Sequence, residues 1–246
     1  MELNNMTLYK YDLHVHTAEV SPCGEVKAEK VVNLYDKVGY EGMVITDHFR
    51  SRFFDNFEKN VPWEKKIDQY LEGYKKAKNV GEKLGITVLM GLEMRFSRNK
   101  NDYLIYGVDE EFLKKYKDLH KMGLNKFNKF IKEVDQDILI YQAHPFRTDM
   151  TIVEPDLLDG IEVHNGNPRH NSRNYLARAF AAKNNLKQIS GSDFHELEDL
   201  DRGGVLLPKK PQTESELVDI LIKNRIYKLL EAENENQDSF YREQEI

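Results

Sequence analysis

The chain has 246 residues, a formal net charge of −6 and a single cysteine. Its length suffices for one large α/β domain, or two small ones, with a substantial core. The negative charge argues against a protein that coats nucleic acid or an anionic membrane. One cysteine excludes an intramolecular disulfide and a cysteine-only zinc site. Because no apolar run approaches the roughly 20 residues of a membrane span, and MELNNMTLYKYD lacks a signal-peptide core, we expect a cytoplasmic protein without membrane contacts.

Short apolar runs alternate with amphipathic stretches, as in β/α units around a mostly parallel sheet. Strands are predicted at 8–16, 42–48, 86–94, 102–108, 137–144, 158–164 and 186–193. Helices are predicted at 27–39, 63–85, 110–134, 168–185 and 213–225. Seven strands with intervening helices favour a closed β/α barrel over a flat, doubly wound sheet. No repeat or linker divides the chain, so we expect one domain, residues 1–230, followed by an acidic C-terminal tail, residues 231–246.

Histidines and acids fall at the ends of the predicted strands. The strand-end residues are His14, His16, His48, Glu93, His144, Asp193 and His195. Within one strand, residues i and i+2 point the same way, so His14 and His16 share a face, and Asp12 would share it too. Because the carboxyl ends of barrel strands form one rim, five imidazoles and at least two carboxylates are expected to meet there.

Such a cluster favours a site for metal ions. Imidazole and carboxylate groups suit Zn²⁺, Mn²⁺ and Fe²⁺, and one carboxylate can bridge two ions. Without ions, so many titratable groups would perturb one another's pKa values. Each residue alone has an ordinary explanation, such as a helix cap or a buried hydrogen bond. Their joint occurrence at strand ends is what indicates metal.

The motifs resemble those of the PHP (polymerase and histidinol phosphatase) superfamily of metal-dependent phosphoesterases. The matching segments, in the family's order, are DLHVHT (12–17), ITDH (45–48), GLEM (91–94), AHPFR (143–147), GIEVHNG (160–166) and GSDFHE (191–196). The resemblance implies a distorted, seven-stranded, TIM-like barrel whose rim holds two or three divalent ions, Mn²⁺, Zn²⁺ or Fe²⁺. The implied ligands of the first ion are His14, His16, Glu93 and Asp193. Glu93 would bridge to a second ion held by His144, and His48 and His195 would hold the third.

Two ligand positions depart from the family pattern. In the loop AEVSPCGE, either Glu19 or Cys23 would complete the third site. A thiolate would favour Zn²⁺, and a free, inert cysteine is the alternative. In the strand at 102–108, Leu104 stands where many members carry a histidine. Either Asp102 replaces that histidine, or fewer protein groups and more water hold the second ion.

Other residues are expected to contact or orient the substrate. Arg147, three residues after His144, is the candidate that would bind a phosphate group bidentately. His164 is interpreted as a pocket wall or a residue behind the ligands, and Glu162 and Asn165 as residues that orient ligands or substrate. Further arginines follow predicted strand ends, and at least one more phosphate contact is expected among Arg50, Arg95, Arg169 and Arg202. His120 is expected at the surface.

These observations predict a metal-dependent phosphoesterase that hydrolyses a phosphate monoester or a short phosphodiester through a metal-bridged hydroxide. Asp193 is the side chain that would take the hydroxide's proton. The expected partner is a small phosphorylated substrate, which includes a nucleotide or a short oligonucleotide, without strong nucleic-acid binding; the oligomeric state stays open. Two alternatives remain: hydrolysis of an amide or lactone on the same scaffold, and a catalytically silent, metal-dependent binding module.

Overall fold

The computed structural model describes residues 7–232, which form ten strands and eight α-helices. The strands are β1 (Tyr9–Val15), β2 (Gly42–Ile45), β3 (His48–Phe49), β4 (Thr87–Met94), β5 (Tyr103–Tyr106), β6 (Leu139–Gln142), β7 (Gly160–Asn165), β8 (Lys187–Gly191), β9 (Gly203–Leu207) and β10 (Lys228–Glu231). The helices are α1 (Ala28–Lys37), α2 (Ser51–Phe54), α3 (Trp63–Tyr70), α4 (Glu72–Leu84), α5 (Glu110–Lys115), α6 (Leu124–Ile131), α7 (Asn174–Asn184) and α8 (Glu214–Ile222). Most of the tail expected at 231–246 lies outside the described residues, and its first residue, Glu231, ends β10.

The strands form one nearly closed, barrel-shaped sheet. Their order is β10-β9-β1-β2-β4-β5-β6-β7-β8, and β3 pairs with β4. The gap between β8 and β1 is bridged just beyond β8, where Phe194 pairs with Val15 and the His16 N–H donates to the Phe194 carbonyl at 3.0 Å. The TIM-like α/β barrel predicted from the sequence is therefore confirmed, although β3, β9 and β10 add to the seven strands that were expected.

One strand runs against the expected direction. β5 is antiparallel to both of its neighbours, β4 and β6. A reversed strand needs no crossover helix, and residues 95–102 connect β4 to β5 without an α-helix. Because β5 is reversed, it begins at the rim where β4 and β6 end. Asp102, which immediately precedes β5, consequently lies at the same rim as the strand-end histidines.

The core of the barrel follows the alternation of the strands. One buried cluster contains inward residues from most strands: Leu13, Val44, Leu89, Leu104, Tyr106, Tyr141, Ile189 and Val205. The neighbours of Val44, Met43 and Ile45, face outward and pack with residues of α1 and α4. α8 contributes Leu217 and Leu221 to the inner cluster and covers the barrel end opposite the histidines. The chain thus leaves one end of the barrel for polar residues.

His120 is buried, so the prediction of a surface position is wrong. The turn at Leu119–Lys121 places its ring against Phe54, stacked at a centroid distance of 4.9 Å, and edge-on to Phe49. Neither ring nitrogen has a hydrogen-bond partner within residues 7–232. Burial lowers the pKa of His120 to about 4. The residue is therefore a neutral member of an aromatic cluster.

The predicted helix at 63–85 is divided at Leu71 into α3 and α4, and the one at 110–134 into α5 and α6. Asp118 and Gly123, both with positive φ, interrupt the second of these stretches. Within the described chain, no helix combines the length and the apolar character that crossing a bilayer requires.

Candidate metal centre

The seven strand-end residues predicted from the sequence converge at one rim of the barrel. All are buried, and the most exposed, His195, is only 9% accessible. With Asp102 they form three overlapping groups, and within each group one candidate ligand atom per residue lies within 4.8 Å of the others. The first group is His14, His16, Glu93 and Asp193, the second is Glu93, Asp102 and His144, and the third is His16, His48 and His195. The first two groups share Glu93, and the first and third share His16.

The first group brings two imidazole nitrogens close to two carboxylates. His14 Nε2 lies 3.1 Å from His16 Nε2 and 3.3 Å from Asp193 Oδ1. His16 Nε2 lies 3.4 Å from the same Asp193 oxygen. Glu93 approaches both imidazoles, with its Oε1 3.5 Å from His14 Nε2 and its Oε2 3.6 Å from His16 Nε2. This set of two imidazoles and two carboxylates is a donor set that suits Zn²⁺, Mn²⁺ or Fe²⁺.

Glu93 is the residue on which the groups converge. Its Oε1 lies 3.0 Å from His144 Nε2, and its Oε2 lies 2.5 Å from His48 Nδ1. Although Oε2 is buried, no contact in the described structure has hydrogen-bond geometry at this atom. A buried carboxylate oxygen without a hydrogen bond is uncommon. An oxygen that faces imidazoles without bonding to them fits the place of a bridging metal ligand.

The charges of the group oppose one another in the absence of an ion. Burial lowers the pKa of His14, but Asp193 and Glu162 raise it well above its ordinary value. For the adjacent His16, burial and the neighbouring His195 lower the pKa well below the ordinary value. Burial raises the pKa of Asp193, but His14 and Arg147 lower it well below its ordinary range. The raised pKa favours a protonated His14 beside a neutral His16, whereas metal binding needs both imidazoles neutral and the carboxylates ionised, so an ion that binds here would displace the His14 proton.

Two of these residues have unusual backbone conformations. His144 has a φ of 29° and Asp193 a φ of 54°. Positive φ is uncommon for residues other than glycine, and such strain concentrates at functional sites. The surrounding hydrogen bonds, which include the donation from His144 N to Glu162 Oε2 at 2.9 Å, hold the backbone in this conformation.

Cys23, and not Glu19, is the loop residue that the structure places at the third group. Cys23 Sγ lies 3.0 Å from His48 Nε2. Cys23 is exposed as a residue. Partial burial raises the pKa of its thiol, but hydrogen bonds with His195 and His48 lower it to about 6. Glu19 faces α1 instead, where its Oε2 accepts a hydrogen bond from the Ala28 N–H at 3.0 Å. The expectation for Glu19 is corrected because its carboxylate serves the start of the helix.

Asp47 fixes the loop that carries Cys23, a role the sequence reasoning missed. Its Oδ1 accepts hydrogen bonds from the Thr17 N–H and the Ser21 hydroxyl, both at 2.8 Å. Its Oδ2 accepts from the Thr17 hydroxyl at 2.7 Å. All of these groups are buried. The TDH sequence places Asp47 at a strand end. It does not show that the Asp47 carboxylate bonds to the preceding loop rather than to the start of a helix.

Asp102 reaches the second group but is already engaged. Arg95 Nε donates to its Oδ1 at 2.7 Å, and an Arg95 terminal nitrogen donates to its Oδ2. Leu104, opposite Glu93 in the sheet register, belongs to the apolar interior. If Asp102 binds a metal ion, its oxygens must accept hydrogen bonds from Arg95 at the same time.

Glu162 orients the histidines from behind. Its Oε1 lies 2.9 Å from His14 Nδ1, a distance at which that N–H donates to the carboxylate. Its Oε2 also accepts from Asn165 Nδ2 at 3.0 Å. A carboxylate on the second nitrogen of a ligand histidine fixes its tautomer and ring orientation. Gly191 permits this approach, because a Cβ there would lie 2.5 Å from His14 Cβ.

Of the three residues expected to contact substrate, only Arg147 lines the cavity beside the cluster. This cavity has a volume of about 380 Å³ and is also lined by Arg50, Arg95 and Arg169. Asn165 is buried behind the site, where its Oδ1 accepts from Arg147 at 2.9 Å. His164 turns away, with Nε2 2.9 Å from the Arg202 carbonyl. The assignment of His164 to the pocket is corrected because β7 has an irregular register between Glu162 and His164.

Comparison with known proteins agrees with this geometry. The family model of the PHP domain matches residues 12–240. The chain belongs to the PHP domain family. Membership of this family supports a metal-dependent hydrolase, and the PHP fold accounts for the barrel with its histidine-rich rim. A search of curated proteins finds no match to this PHP chain.

Two solved structures share the fold. One is a two-domain protein from Bacteroides vulgatus ATCC 8482 that contains a predicted PHP-like metal-dependent phosphoesterase, with a TM-score of 0.62 and 18% identity. The match covers 92% of this chain and 66% of that protein. The other is PsfC from Pseudomonas syringae PB-5123, with a TM-score of 0.61 and 13% identity over 98% of this chain and 100% of PsfC. At such identities the likeness establishes the PHP-type barrel alone.

Proposed function

We propose that this PHP protein is a metal-dependent phosphoesterase that hydrolyses a phosphate monoester or a short phosphodiester. The observation that carries the proposal is the combination of a buried donor cluster and a cavity beside it lined by four arginines. Arginine matches the geometry and charge of a phosphate group. Four carboxylates also line this cavity, Glu93, Asp102, Asp193 and Glu196. With the first three on metal ions, the ions and the arginines would together supply positive charge that suits a phosphorylated substrate better than a neutral amide or lactone.

The donor groups fit two or three divalent ions, Mn²⁺, Zn²⁺ or Fe²⁺. The proposed ligands are His14, His16, Glu93 and Asp193 for the first ion, Glu93, His144 and Asp102 for the second, and His48, His195 and Cys23 for the third. When bound, such ions would supply a hydroxide at neutral pH and would offset the charge that develops on the phosphoryl group. The unbonded, buried Glu93 Oε2 supports this assignment.

The protein's own side chains would orient the phosphate and accept a proton. One terminal nitrogen of Arg147 donates to Asn165 Oδ1 at 2.9 Å and to Asp193 Oδ2 at 2.6 Å. These two bonds hold the guanidinium at the cavity that it lines, where it would contact a phosphate oxygen. Asp193 is ionised because its pKa is well below the ordinary range. When water attacks phosphorus and the alcohol leaves, Asp193 would accept the proton that the water releases.

The test combines metal analysis with a generic ester. The purified protein is loaded with Mn²⁺ or Zn²⁺, its metal content is measured by mass spectrometry, and hydrolysis of 4-nitrophenyl phosphate is followed. We expect His14→Ala to lower kcat/KM by about 100-fold or more, as loss of a catalytic metal ligand does. His164→Gln, a buried histidine outside the donor groups, is the matched control and should retain activity.

Three results would contradict the proposal. The first is that the loaded protein contains no transition metal. The second is that it hydrolyses no phosphate ester. The third is that it hydrolyses an aryl ester or a lactone but leaves phosphate esters intact. The third result would favour a different hydrolysis on the same scaffold.

A further inference from the structure

The barrel closes between β1 and the segment after β8, and this seam passes through the candidate metal centre. β8 is the last strand in the sheet order, and among the described strands it pairs with β7 alone. Beyond β8, the Phe194 N–H donates to the His14 carbonyl at 3.3 Å. Two proposed ligands of the first ion, His14 and Asp193, therefore lie on opposite sides of the seam. Their separation depends on the contacts that cross it.

One fully buried carboxylate, Asp12, crosses the seam beside these ligands. Its Oδ1 accepts hydrogen bonds from the N–H groups of His14 and Ser192, both at 3.1 Å. His14 belongs to β1, whereas Ser192 follows the end of β8 and directly precedes Asp193. A single oxygen atom thus holds the backbone of one proposed ligand and the backbone next to another.

The irregular register of β1 explains the first of these two bonds. Between the pairs Asp12–Met43 and Val15–Ile45, β1 has one residue more than β2. Such a bulge disrupts the hydrogen-bond ladder between the strands. The His14 N–H donates to the Asp12 carboxylate instead. Because a buried N–H without an acceptor is costly, Asp12 stabilises the bulge that carries His14.

The second oxygen of Asp12 is held from outside the barrel by Tyr35 of α1. The Tyr35 hydroxyl donates to Asp12 Oδ2 at 2.8 Å, and its oxygen lies 3.0 Å from Ser192 Oγ. Tyr35 and Ser192 are fully buried, and the Tyr35 ring packs edge-on against Tyr40 and Phe194. Within residues 7–232, neither hydrogen bond of this hydroxyl involves a proposed metal ligand. Tyr35 therefore acts on the site only through its neighbours.

We propose that Asp12, Ser192 and Tyr35 form a clamp that positions His14 against Asp193 across the seam, so that a hydroxyl group on an outer helix sets the affinity of the first metal site. The inference rests on the proposed metal-dependent function and adds positioning residues to it. A metal site needs its ligand atoms held to within about 0.5 Å, and His14 Nε2 lies 3.3 Å from Asp193 Oδ1. Loss of the Tyr35 hydroxyl would leave a buried carboxylate oxygen without its donor, and the seam would relax around it.

The variant Tyr35→Phe removes the hydroxyl and retains the ring. We expect its affinity for Zn²⁺, measured on the metal-free protein against a chromophoric chelator, to fall about tenfold, as it does when residues behind metal ligands are replaced. Tyr40→Phe is the matched control, because it removes a buried hydroxyl that donates to the Gly203 carbonyl at 2.6 Å, outside the clamp. Both variants should be less stable in urea, so a merely structural role would lower the Zn²⁺ affinity of both. Wild-type affinity in Tyr35→Phe, or an equal fall in Tyr40→Phe, would overturn the inference.

Substitutions of Asp12 distinguish its hydrogen bonds from its charge. In Asp12→Asn, the amide oxygen still accepts from both N–H groups, and the NH₂ group donates to the Tyr35 hydroxyl, which turns to donate to Ser192 Oγ. Because every group of the clamp keeps a partner, Asp12→Asn should retain the wild-type affinity for Zn²⁺. Asp12→Ala removes the acceptor and should bind Zn²⁺ at least as weakly as Tyr35→Phe; if it does not fold, the other two variants decide. An Asp12→Asn variant as weak as Tyr35→Phe would overturn the clamp in favour of a role for charge.

Amide hydrogen exchange separates this inference from the function on which it rests. Exchange is measured by NMR on the metal-free wild type, Tyr35→Phe and Tyr40→Phe. We expect the N–H groups of His14 and Ser192 to exchange about tenfold faster in Tyr35→Phe than in Tyr40→Phe, because both donate to Asp12. If the wild type binds no Zn²⁺, the proposed function fails. The clamp is then still supported by faster exchange of these two amides in Tyr35→Phe, and overturned by equal exchange in the two variants.

Discussion

Replacement of Glu162 by glutamine should weaken metal binding without removal of any proposed ligand. Glu162 accepts hydrogen bonds on both oxygens, from His14 Nδ1 on one side and from the His144 and Asn165 N–H groups on the other. An amide has only one acceptor oxygen. If its oxygen faces His14, its NH₂ group meets the two donors of His144 and Asn165.

The opposite amide orientation has a different cost. If the NH₂ group faces His14 Nδ1, that nitrogen must act as the acceptor, and the proton moves to Nε2. His14 Nε2 is the atom that faces His16, Glu93 and Asp193. A protonated nitrogen cannot bind an ion. Both orientations therefore disfavour the metal-bound state.

We expect the affinity for Zn²⁺ to fall about 10- to 100-fold in Glu162→Gln, as it does when other carboxylates that orient ligand histidines are replaced. This fall corresponds to a loss of about 1.4–2.7 kcal/mol of binding free energy. The assay is competition of the metal-free protein with a chromophoric chelator at fixed pH. Glu72→Gln, an exposed carboxylate paired with Lys76 on α4, is the control for loss of one negative charge. Equal affinities of wild type and Glu162→Gln would refute the claim that Glu162 sets the tautomer of His14.

Three further predictions concern other residues. The pKa of His120 is lowered to about 4 from 6.5, so protons bind preferentially to the unfolded chain and stability is lost as the pH falls from 6.5 towards 4. Between pH 7.5 and pH 5 the free energy of unfolding of the metal-free wild type, measured in urea, should fall by about 2 kcal/mol more than that of His120→Leu. An equal pH dependence of the two proteins would contradict the burial argument. Phe54→Leu is the control, because it changes the same aromatic cluster without removal of a titratable group. Cobalt-loaded wild type should show a sulfur-to-cobalt charge-transfer band that Cys23→Ser abolishes, and a band that survives would mean that Cys23 is not a ligand. Arg147→Lys should raise KM for 4-nitrophenyl phosphate about tenfold, because a lysine cannot bind a phosphate group bidentately, and unchanged kinetics would exclude that contact.

The sequence predicts the donor residues because the information is local. Each of His48, Glu93 and His144 lies at the end of an apolar run, and a barrel brings strand ends together whatever the details of its closure. The family motifs add the order of the segments. The rim and its donor cluster are therefore accessible without a structure.

Side-chain direction is less accessible, because strand alternation assumes a regular ladder. The β1 register shifts between Asp12 and Val15, and Asp12 bonds to the Tyr35 hydroxyl at 2.8 Å rather than sharing the site of His14. The β7 register shifts before His164 and turns that ring away. Bulges are common at barrel rims and beside active sites. Strand alternation therefore fails to predict the side-chain direction at the rim of the barrel, where the candidate site lies.

The positions of loop residues are the second feature of the site that the sequence does not predict. The choice between Glu19 and Cys23 depends on two hydrogen bonds, from Ser21 to Asp47, 26 residues apart, and from the Ala28 N–H to Glu19, 9 residues apart. The burial of His120 depends on the break between α5 and α6 and on packing against Phe54. Neither contact has a periodic signal that a single sequence reveals.

The reversal of β5 has a consequence for how substrate preference can change. Residues 95–102 form a hairpin connection between β4, which carries Glu93, and β5, which follows Asp102. A hairpin loop can gain or lose residues without a change in the strands that it joins. Insertions there would remodel the edge of the cavity beside the metal centre, which Arg95 and Asp102 line, while Glu93 and the histidines would keep their places on the barrel. Chemistry and selectivity are in this way assigned to separate parts of the chain, so one can diverge while the other is retained.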